Sequence, residues 1–550
     1  MSFRRAGIVL FIAAILVAAG VLPTIPAQAA DDRPNLVIAV NKLPRGLEPA
    51  VNSGNVDVRV TYSIFDTLIR RDFRKPGPNG EANLIPGLAA SWQRVSPTTL
   101  EFELRKGVKF HNGEEFTADD VLFTFSKERL RGKKAAIPTG RSYFGNVITV
   151  EKLGPYKVRV VTKEPDLVLE HRFSSYDSWI VSKKEYEAHK AKGEEAVKAA
   201  GGAKTKDAMT TWLDFAIKEE NWTPVGTGPY AFKDWKSDDY VRLVANDAYF
   251  MGRPAAKSVT FKQVPEISAR IAGLVSGEFD MIVEIPPDQM PVVEGYKDLA
   301  TKSVVLENSH VLVFNTTDPQ LKDKRVRQAL SLGIDRQKLV ATLWHGKTFT
   351  PNGHQLASFG PTYDKSRVGY RFDPEAAKKL LQAGGYKGVP VSFRIIPDYY
   401  TNGMEAAQII QEMWKAIGFN MKLEPVENFV AIRDKGVAIY PWSNTYRYPD
   451  PAGAIYVLWG PNAAVQKKFK LWEAPNEFNE AMNTLVSSGN QKERAAALKK
   501  GLDIFEDEMP GTILYNPVST YSMRKGIDWT PYPIYYMDLR PDNLKIKKKG

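Results

Sequence analysis

Near the end of the chain the segment PWSNTYRYPDPAGAIY, Pro441 to Tyr456, crowds one indole, three phenols, a guanidinium and a carboxylate between prolines. Side chains of these types suit holding a molecule, and an ordinary surface loop is the competing reading. Indole and phenol rings offer flat, rigid surfaces with a polar edge, and a guanidinium holds carboxylate or phosphate through two parallel hydrogen bonds. Trp442, Tyr446 and Tyr448 are therefore candidate stacking or walling groups, Arg447 a candidate anion clamp, and Asn444 and Thr445 candidate polar contacts. The competing structural reading pairs Arg447 with Asp450 or turns it to solvent. A second aromatic and polar cluster adds Asp398, Tyr399, Tyr400 and Asn402 to the candidates.

Bond-making chemistry has no comparable support. The histidines His111, His171, His189, His310, His345 and His354 show no HExxH or similar metal spacing. No G-x-S-x-G elbow occurs, and Asp119-Asp120 follows Thr117 where a helix cap and first-turn acids belong. The absence of cysteine removes disulfides, thiolate metal sites, a cysteine nucleophile and a lipid-modified cysteine together. Neither catalysis nor a cofactor is expected. A metal site drawing on His310, His345 or His354 stays open beside the structural reading of each.

The elements that must position the two clusters follow an α/β pattern. Val391-Ser392-Phe393-Arg394-Ile395 alternates as a strand. From Met404, Ala406, Ile409, Ile410, Met413, Trp414 and Ile417 recur at helical steps, Gly418 is placed to cap the end, and Met421 and Leu423 alternate in a following strand. Strand, helix, strand of this kind makes a right-handed parallel crossover. Ligands in open parallel sheets sit at the carboxyl ends of strands, where Asp398–Asn402 falls. The Pro441 segment follows the apolar run Val437–Tyr440 and is placed the same way. Phe279–Ile285 reads as a third strand, running into Pro286-Pro287-Asp288. Asp323 and Asp335 are placed to cap successive helices, and Lys183–Lys206 reads as an exposed helical insertion.

At 550 residues the chain exceeds a single hydrophobic core, and two or three domains are expected. Arg4 and Arg5, an apolar stretch from Ile8 to Leu22, and Ala27-Gln28-Ala29 compose an export signal over residues 1–29. The apolar run is shorter than the ~20 residues a membrane span needs. The expected product is an exported periplasmic protein, not lipid-anchored. The formal net charge is +12, yet basic residues are spread thinly among 63 acids, with one short run at Lys545–Lys549. Nucleic-acid binding is not expected, whereas an anionic ligand is modestly favoured by long-range attraction.

Five colinear stretches, GVKFHNGEEFTADDVLFTF (Gly107–Phe125), PVGTGPYAF (Pro224–Phe232), LVSGEFDMIVEIP (Leu274–Pro286), FNTTDPQLKDKRVRQALSLGIDRQKLV (Phe314–Val340) and FDPEAAKKLLQAGGY (Phe372–Tyr386), resemble the family 5 extracellular solute-binding proteins of bacterial ABC importers. The resemblance implies a two-lobe periplasmic binding protein fold, type II-like, with an extra subdomain on the first lobe and the ligand between the lobes. It places lobe one at 30–310 plus 515–550, the subdomain at about 70–215 and lobe two at 311–514. It implies a monomer that delivers a small solute, a peptide, opine or related molecule, to a membrane permease. An oligosaccharide, a sugar phosphate, or a metal or haem ligand is the alternative on the same fold. Peptide-binding members commonly carry Trp-x-x-Asp followed shortly by an acid and proline, the first Asp gripping the peptide amine. Here the spacing from Trp442 to Asp450-Pro451 is two residues longer, and the matching position is Thr445 counted forward or Arg447 counted back. Neither neutralises an ammonium, so Arg447 points to an anionic group on the solute.

Overall fold

The computed structural model describes residues 31–75, 82–202, 211–218, 223–397, 399–433 and 436–547. The expected export signal, Asp398 and part of the expected insertion lie outside them. Two mixed sheets organise the chain. The first has seven strands in the order Leu299–Val305, Val518–Arg524, Met281–Val283, Asn35–Val40, Ser258–Gln263, Tyr240–Ala245 and Tyr230–Lys236. The second has five, ordered Met421–Pro425, Val391–Ile395, Ile439–Thr445, Asn308–Phe314 and Gly511–Tyr515. Alternation marks the outer strands of the first sheet: in Tyr240–Ala245 only Val241 and Leu243 are buried. Asn308–Phe314, flanked on both edges, is buried at every position, as a strand covered on both faces must be.

The chain passes from the first sheet to the second at Leu306–Glu307 and back at Asn516–Pro517. The limits expected from sequence, at 310 and 515, fall within the strands Asn308–Phe314 and Gly511–Tyr515 of the second sheet. The crossings lie side by side: the Leu306 amide donates to the Pro517 carbonyl at 2.9 Å. The Asn516 side chain accepts from the Ser309 hydroxyl at 2.8 Å. Arg71, on the first lobe, grips Glu307 through two hydrogen bonds of 2.6 and 2.8 Å.

A separate four-stranded antiparallel sheet, Ala89–Ser96, Thr99–Leu104, Lys157–Thr162 and Val147–Gly154, packs beside the first lobe over its own core of Leu100, Phe102, Val121, Phe125, Phe144 and Val158. Thr117 caps the helix Ala118–Thr124 in a reciprocal capping box with Asp120. Asp323 and Asp335 cap Lys324–Leu332 and Arg336–Trp344. Helices Lys183–Ala188 and Lys190–Ala199 occupy the described part of the expected insertion.

The Gly226-Thr227-Gly228-Pro229-Tyr230 stretch serves as scaffold. A Cβ at Gly226 would lie 2.0 Å from the Ile64 carbonyl oxygen, so only glycine permits the approach. The His111 ring spans the same turn, with Nδ1 accepting from the Gly226 amide at 3.3 Å and Nε2 donating to the Gly228 carbonyl at 3.0 Å. Burial pushes this imidazole down to about 4, which keeps it neutral. Thr227 donates to Asp66 at 3.0 Å. Asp66 in turn belongs to a buried charge network with Arg540, Asp538, Arg70, Tyr249 and Tyr532, which fastens the C-terminal segment beneath the first lobe.

Candidate functional site

Val391–Ile395 runs parallel to Met421–Pro425 along its whole length and to Ile439–Thr445 through the pair Phe393 and Ile439. Their carboxyl ends therefore share one edge of the second sheet. Between Val391–Ile395 and Met421–Pro425 lies the helix Gly403–Ala416, whose buried face carries Ala406, Ala407, Ile410 and Trp414. Gly418, at φ +89°, lets the Phe419 amide turn back to the Trp414 carbonyl at 2.8 Å.

The Pro441 segment is only partly a loop. Pro441–Thr445 completes a strand paired antiparallel with Asn308–Leu312. Proline is tolerated there because the parallel neighbour on the other edge has already ended at Ile439. The chain then turns through 446–451 and becomes helical from Ala452.

A cavity of about 280 Å³ lies between the lobes at this edge. The first lobe and its subdomain contribute Ser53, Gly54, Asn55, Tyr143 and Asp177, facing aromatic, polar and charged groups of the second lobe. Rings form a continuous wall: Tyr400 meets Tyr399 edge-on at 4.7 Å, Tyr399 meets Phe429 at 4.7 Å, and Phe429 meets Trp442 at 5.8 Å. The Arg433 guanidinium lies 3.8 Å from the centre of the Trp442 ring. One face of that indole is thus occupied by a cation.

Of the residues singled out from sequence, Trp442, Asn444, Thr445, Arg447, Tyr399 and Tyr400 line this cavity. Tyr446 and Tyr448 do not, which corrects the expectation that they wall a ligand. Flanking Arg447, they point to the opposite side. Tyr446 is fully buried against Leu356, Phe359 and Ala454 with its hydroxyl 2.6 Å from that of Ser309, and Tyr448 packs on Val168 and Ala452. Asn402 is also displaced: it starts the helix Gly403–Ala416 from a left-handed conformation, and its amide donates to the Leu343 carbonyl at 2.7 Å. Pro286-Pro287-Asp288 follows a strand of the first sheet and stays out of the cavity. Nearby Glu284, paired with Arg59 at 2.6 Å, borders a small adjoining pocket with Tyr399 and Tyr400.

The electrostatics centre on Arg447 and Asp177. Asp450 is taken by Arg494, through contacts of 2.7 and 2.9 Å, so the structural reading that pairs it with Arg447 does not hold. Arg447 is half-buried, with its guanidinium 3.9 Å from the centre of the Tyr176 ring and 5.4 Å from that of Tyr143. Its Nη1 is buried without a hydrogen-bond partner. Asp177, in the same cavity and next in sequence to the Tyr176 ring on which Arg447 lies, is 2% exposed, and its Oδ1 also lacks a partner. Burial pushes the Asp177 carboxyl up to about 7, Arg447 pulls against that shift, and Glu48 adds to it. Arg45, Arg433 and Lys468 also line the cavity, whereas Asp177 is the one carboxylate doing so among the described residues. The excess of positive charge favours an anion.

Sequence reasoning missed Asp177, Tyr143, Phe429 and Arg433. Asp177 stands in a short irregular stretch, Ser174-Ser175-Tyr176-Asp177-Ser178, and it meets Arg447 only through the packing of the subdomain on the second lobe.

The raised carboxyl of Asp177 has a consequence for stability. Its folded value of about 7 exceeds its ordinary 3.8, so between these limits the folded state binds more protons than the unfolded chain. The group's stabilising contribution is complete below about pH 4 and is lost as pH rises through about 7. Asp177→Asn is expected to melt near wild type at pH 4 and several degrees above it at pH 8, read by thermal denaturation of solute-free protein.

His310 and His354, two of the histidines left open as metal ligands, are both pushed down to about 3 by burial and are neutral. The His310 ring packs at a tilt against Tyr400, with centroids 4.7 Å apart, and Nδ1 of His354 meets the Asn444 amide at 2.9 Å. Among the described residues no group of three or more His, Asp or Glu side chains is arranged to hold a metal ion. No helix among them is long and apolar enough to cross a membrane.

Two sheet-centred lobes joined by paired crossings, with a lined cavity between them, define a two-lobe binding protein. Residues 83–466 match the model of the bacterial extracellular solute-binding proteins, family 5 (middle region), and the chain belongs to that family. It is 26% identical over 547 residues to di/tripeptide-binding protein 1 of Pseudomonas aeruginosa, covering 93% of this chain and 94% of that one. Among solved structures, a dipeptide-binding protein of a Pseudoalteromonas species in complex with Met-Leu superposes with a TM-score of 0.81, at 22% identity, over 93% of this chain and 100% of the other. The binding protein AgaA of A. tumefaciens in complex with agropinic acid does so with a TM-score of 0.77, at 19% identity, over 94% and 99%.

Proposed function

We propose that this protein is the periplasmic capture component of an ABC importer, closing its two lobes over a small anionic solute of peptide or opine type and presenting it to a membrane permease. The observation that carries this reading is Arg447, a cation in the interlobe cavity with a buried nitrogen left unbonded, while the carboxylate nearest to it in sequence, Asp450, is committed to Arg494. Leaving a buried donor unbonded is costly, and a carboxylate on the solute removes that cost. A cavity of about 280 Å³ suits a solute of dipeptide or opine size rather than a long oligopeptide. The family relatives whose names or bound molecules are dipeptides, tripeptides or agropinic acid agree in size. The protein changes the solute's location and not its bonds, so no catalytic residue is assigned.

The test is to denature the purified protein and identify what is released by mass spectrometry. A small molecule with at least one carboxylate is expected. Release of a neutral sugar or of haem overturns the peptide or opine assignment.

A further inference from the structure

Asp177 and Arg447 reach one cavity from opposite lobes, and each is left with a buried polar atom unbonded. Asp177 holds its backbone at φ +61°, a left-handed conformation that aspartate and asparagine adopt more readily than most residues. Its Oδ1 is buried without a hydrogen-bond partner and is an open acceptor. Arg447 is braced from beneath by the rings of Tyr176 and Tyr143. The two charges attract each other, yet no hydrogen bond or ion pair joins them among the described residues. Of the other charges near Asp177, Glu48 and Arg129 are paired with each other, and Glu48 also accepts from the Tyr186 hydroxyl at 2.8 Å. No hydrogen bond joins either of them to Asp177 among the described residues.

An open acceptor and an open donor lining one cavity complement a molecule that carries an anionic group and, close to it, a nitrogen bearing hydrogen. We infer that the solute is an amine-bearing anion whose nitrogen donates to Asp177 on the first lobe while its carboxylate takes Arg447 on the second. This rests on the anion reading of Arg447 and narrows it, excluding simple dicarboxylates and sugar phosphates. Because the two contacts come from different lobes, both form only when the lobes are together, so the solute's own dipole favours closure. A cationic nitrogen also draws the proton off Asp177, whose carboxyl is poised near neutrality.

The test compares two probes by calorimetry: an N-(1-carboxyethyl) amino acid, in which a secondary amine lies between two carboxylates, and its carbon isostere with CH2 in place of the amine. Wild-type protein is expected to prefer the amine by at least ~10-fold, the worth of one buried charge-assisted hydrogen bond. Asp177→Asn is expected to erase most of that preference without loss of folded protein, since asparagine keeps the left-handed backbone. In the wild type near pH 7 the heat of amine binding is expected to vary with the buffer's ionisation enthalpy, reporting proton release, and in the variant to be independent of it. Equal affinities for the two probes, a preference that survives Asp177→Asn, or binding of neither probe overturns the inference. If both probes bind equally and both are lost in Arg447→Ala, the anion reading stands while the role of Asp177 falls. If Arg447→Ala leaves the affinities unchanged, both fall.

Discussion

Arg447→Ala is expected to weaken binding of the copurified solute by about 30-fold or more, the range set by roughly 2–5 kcal/mol for removing one partner of a buried, hydrogen-bonded charge pair. The size of the loss follows from the environment. Arg447 sits against two tyrosine rings in a cavity lined by one carboxylate, and among the described residues no group hydrogen-bonds its side chain to compete with a ligand. Arg447→Lys is expected to recover only part of the affinity, because an ammonium cannot make the paired hydrogen bonds of a guanidinium. Titration of both variants with the released solute reads the effect. The melting temperature without solute should move little, since among the described residues the Arg447 side chain holds no ion pair. Affinity within a factor of two of wild type would place the anion contact elsewhere, with Arg433 the next candidate.

Arg540→Ala is expected to be the most damaging single substitution to stability. Arg540 is 1% exposed and donates to Asp66 at 2.7 Å, to Asp538 at 3.1 Å and to the Phe65 carbonyl at 3.1 Å. Its removal strands Asp66 and Asp538 as buried carboxylates, with Arg70 at 3.2 Å from Asp538 the nearest remaining cation. Breaking a buried pair from one side costs about 3–5 kcal/mol, and here two carboxylates lose the same partner. A lower denaturation midpoint, or failure to accumulate as soluble protein, is the expected outcome. A change below about 1 kcal/mol would mean that the network contributes specificity rather than stability.

The lobes were legible where periodicity is local. Val391–Ile395 and the helix and strand that follow it carry alternating and helical patterns that no tertiary contact had to override, and they stand where the sequence placed them. The family motifs extended that reading to the fold. Their glycines are recognisable because they make a backbone approach to Ile64 that other residues would block, and His111 because its ring bonds the backbone of the same turn. The site was legible only on the second lobe. Trp442, Tyr399, Tyr400 and Arg447 share one sheet edge, which strand order predicts from sequence. Tyr446 and Tyr448 were misassigned because residue type alone does not say which side of a turn a ring will take, and large cores consume most aromatic residues. Asp177 carries no signal at all, being brought to Arg447 from 270 residues away by domain packing. The Arg540 network was equally hidden, since its members are scattered singly from Asp66 to Arg540.

Small-angle scattering with the released solute tests most directly whether two hinged lobes trap a dissolved molecule. Solute-free protein is expected to show the larger radius of gyration, adding the solute should contract it at a concentration matching the calorimetric affinity, and the solute should be recovered chemically unchanged. Identical scattering at saturating solute, or recovery of a transformed product, would contradict capture by closure of the lobes.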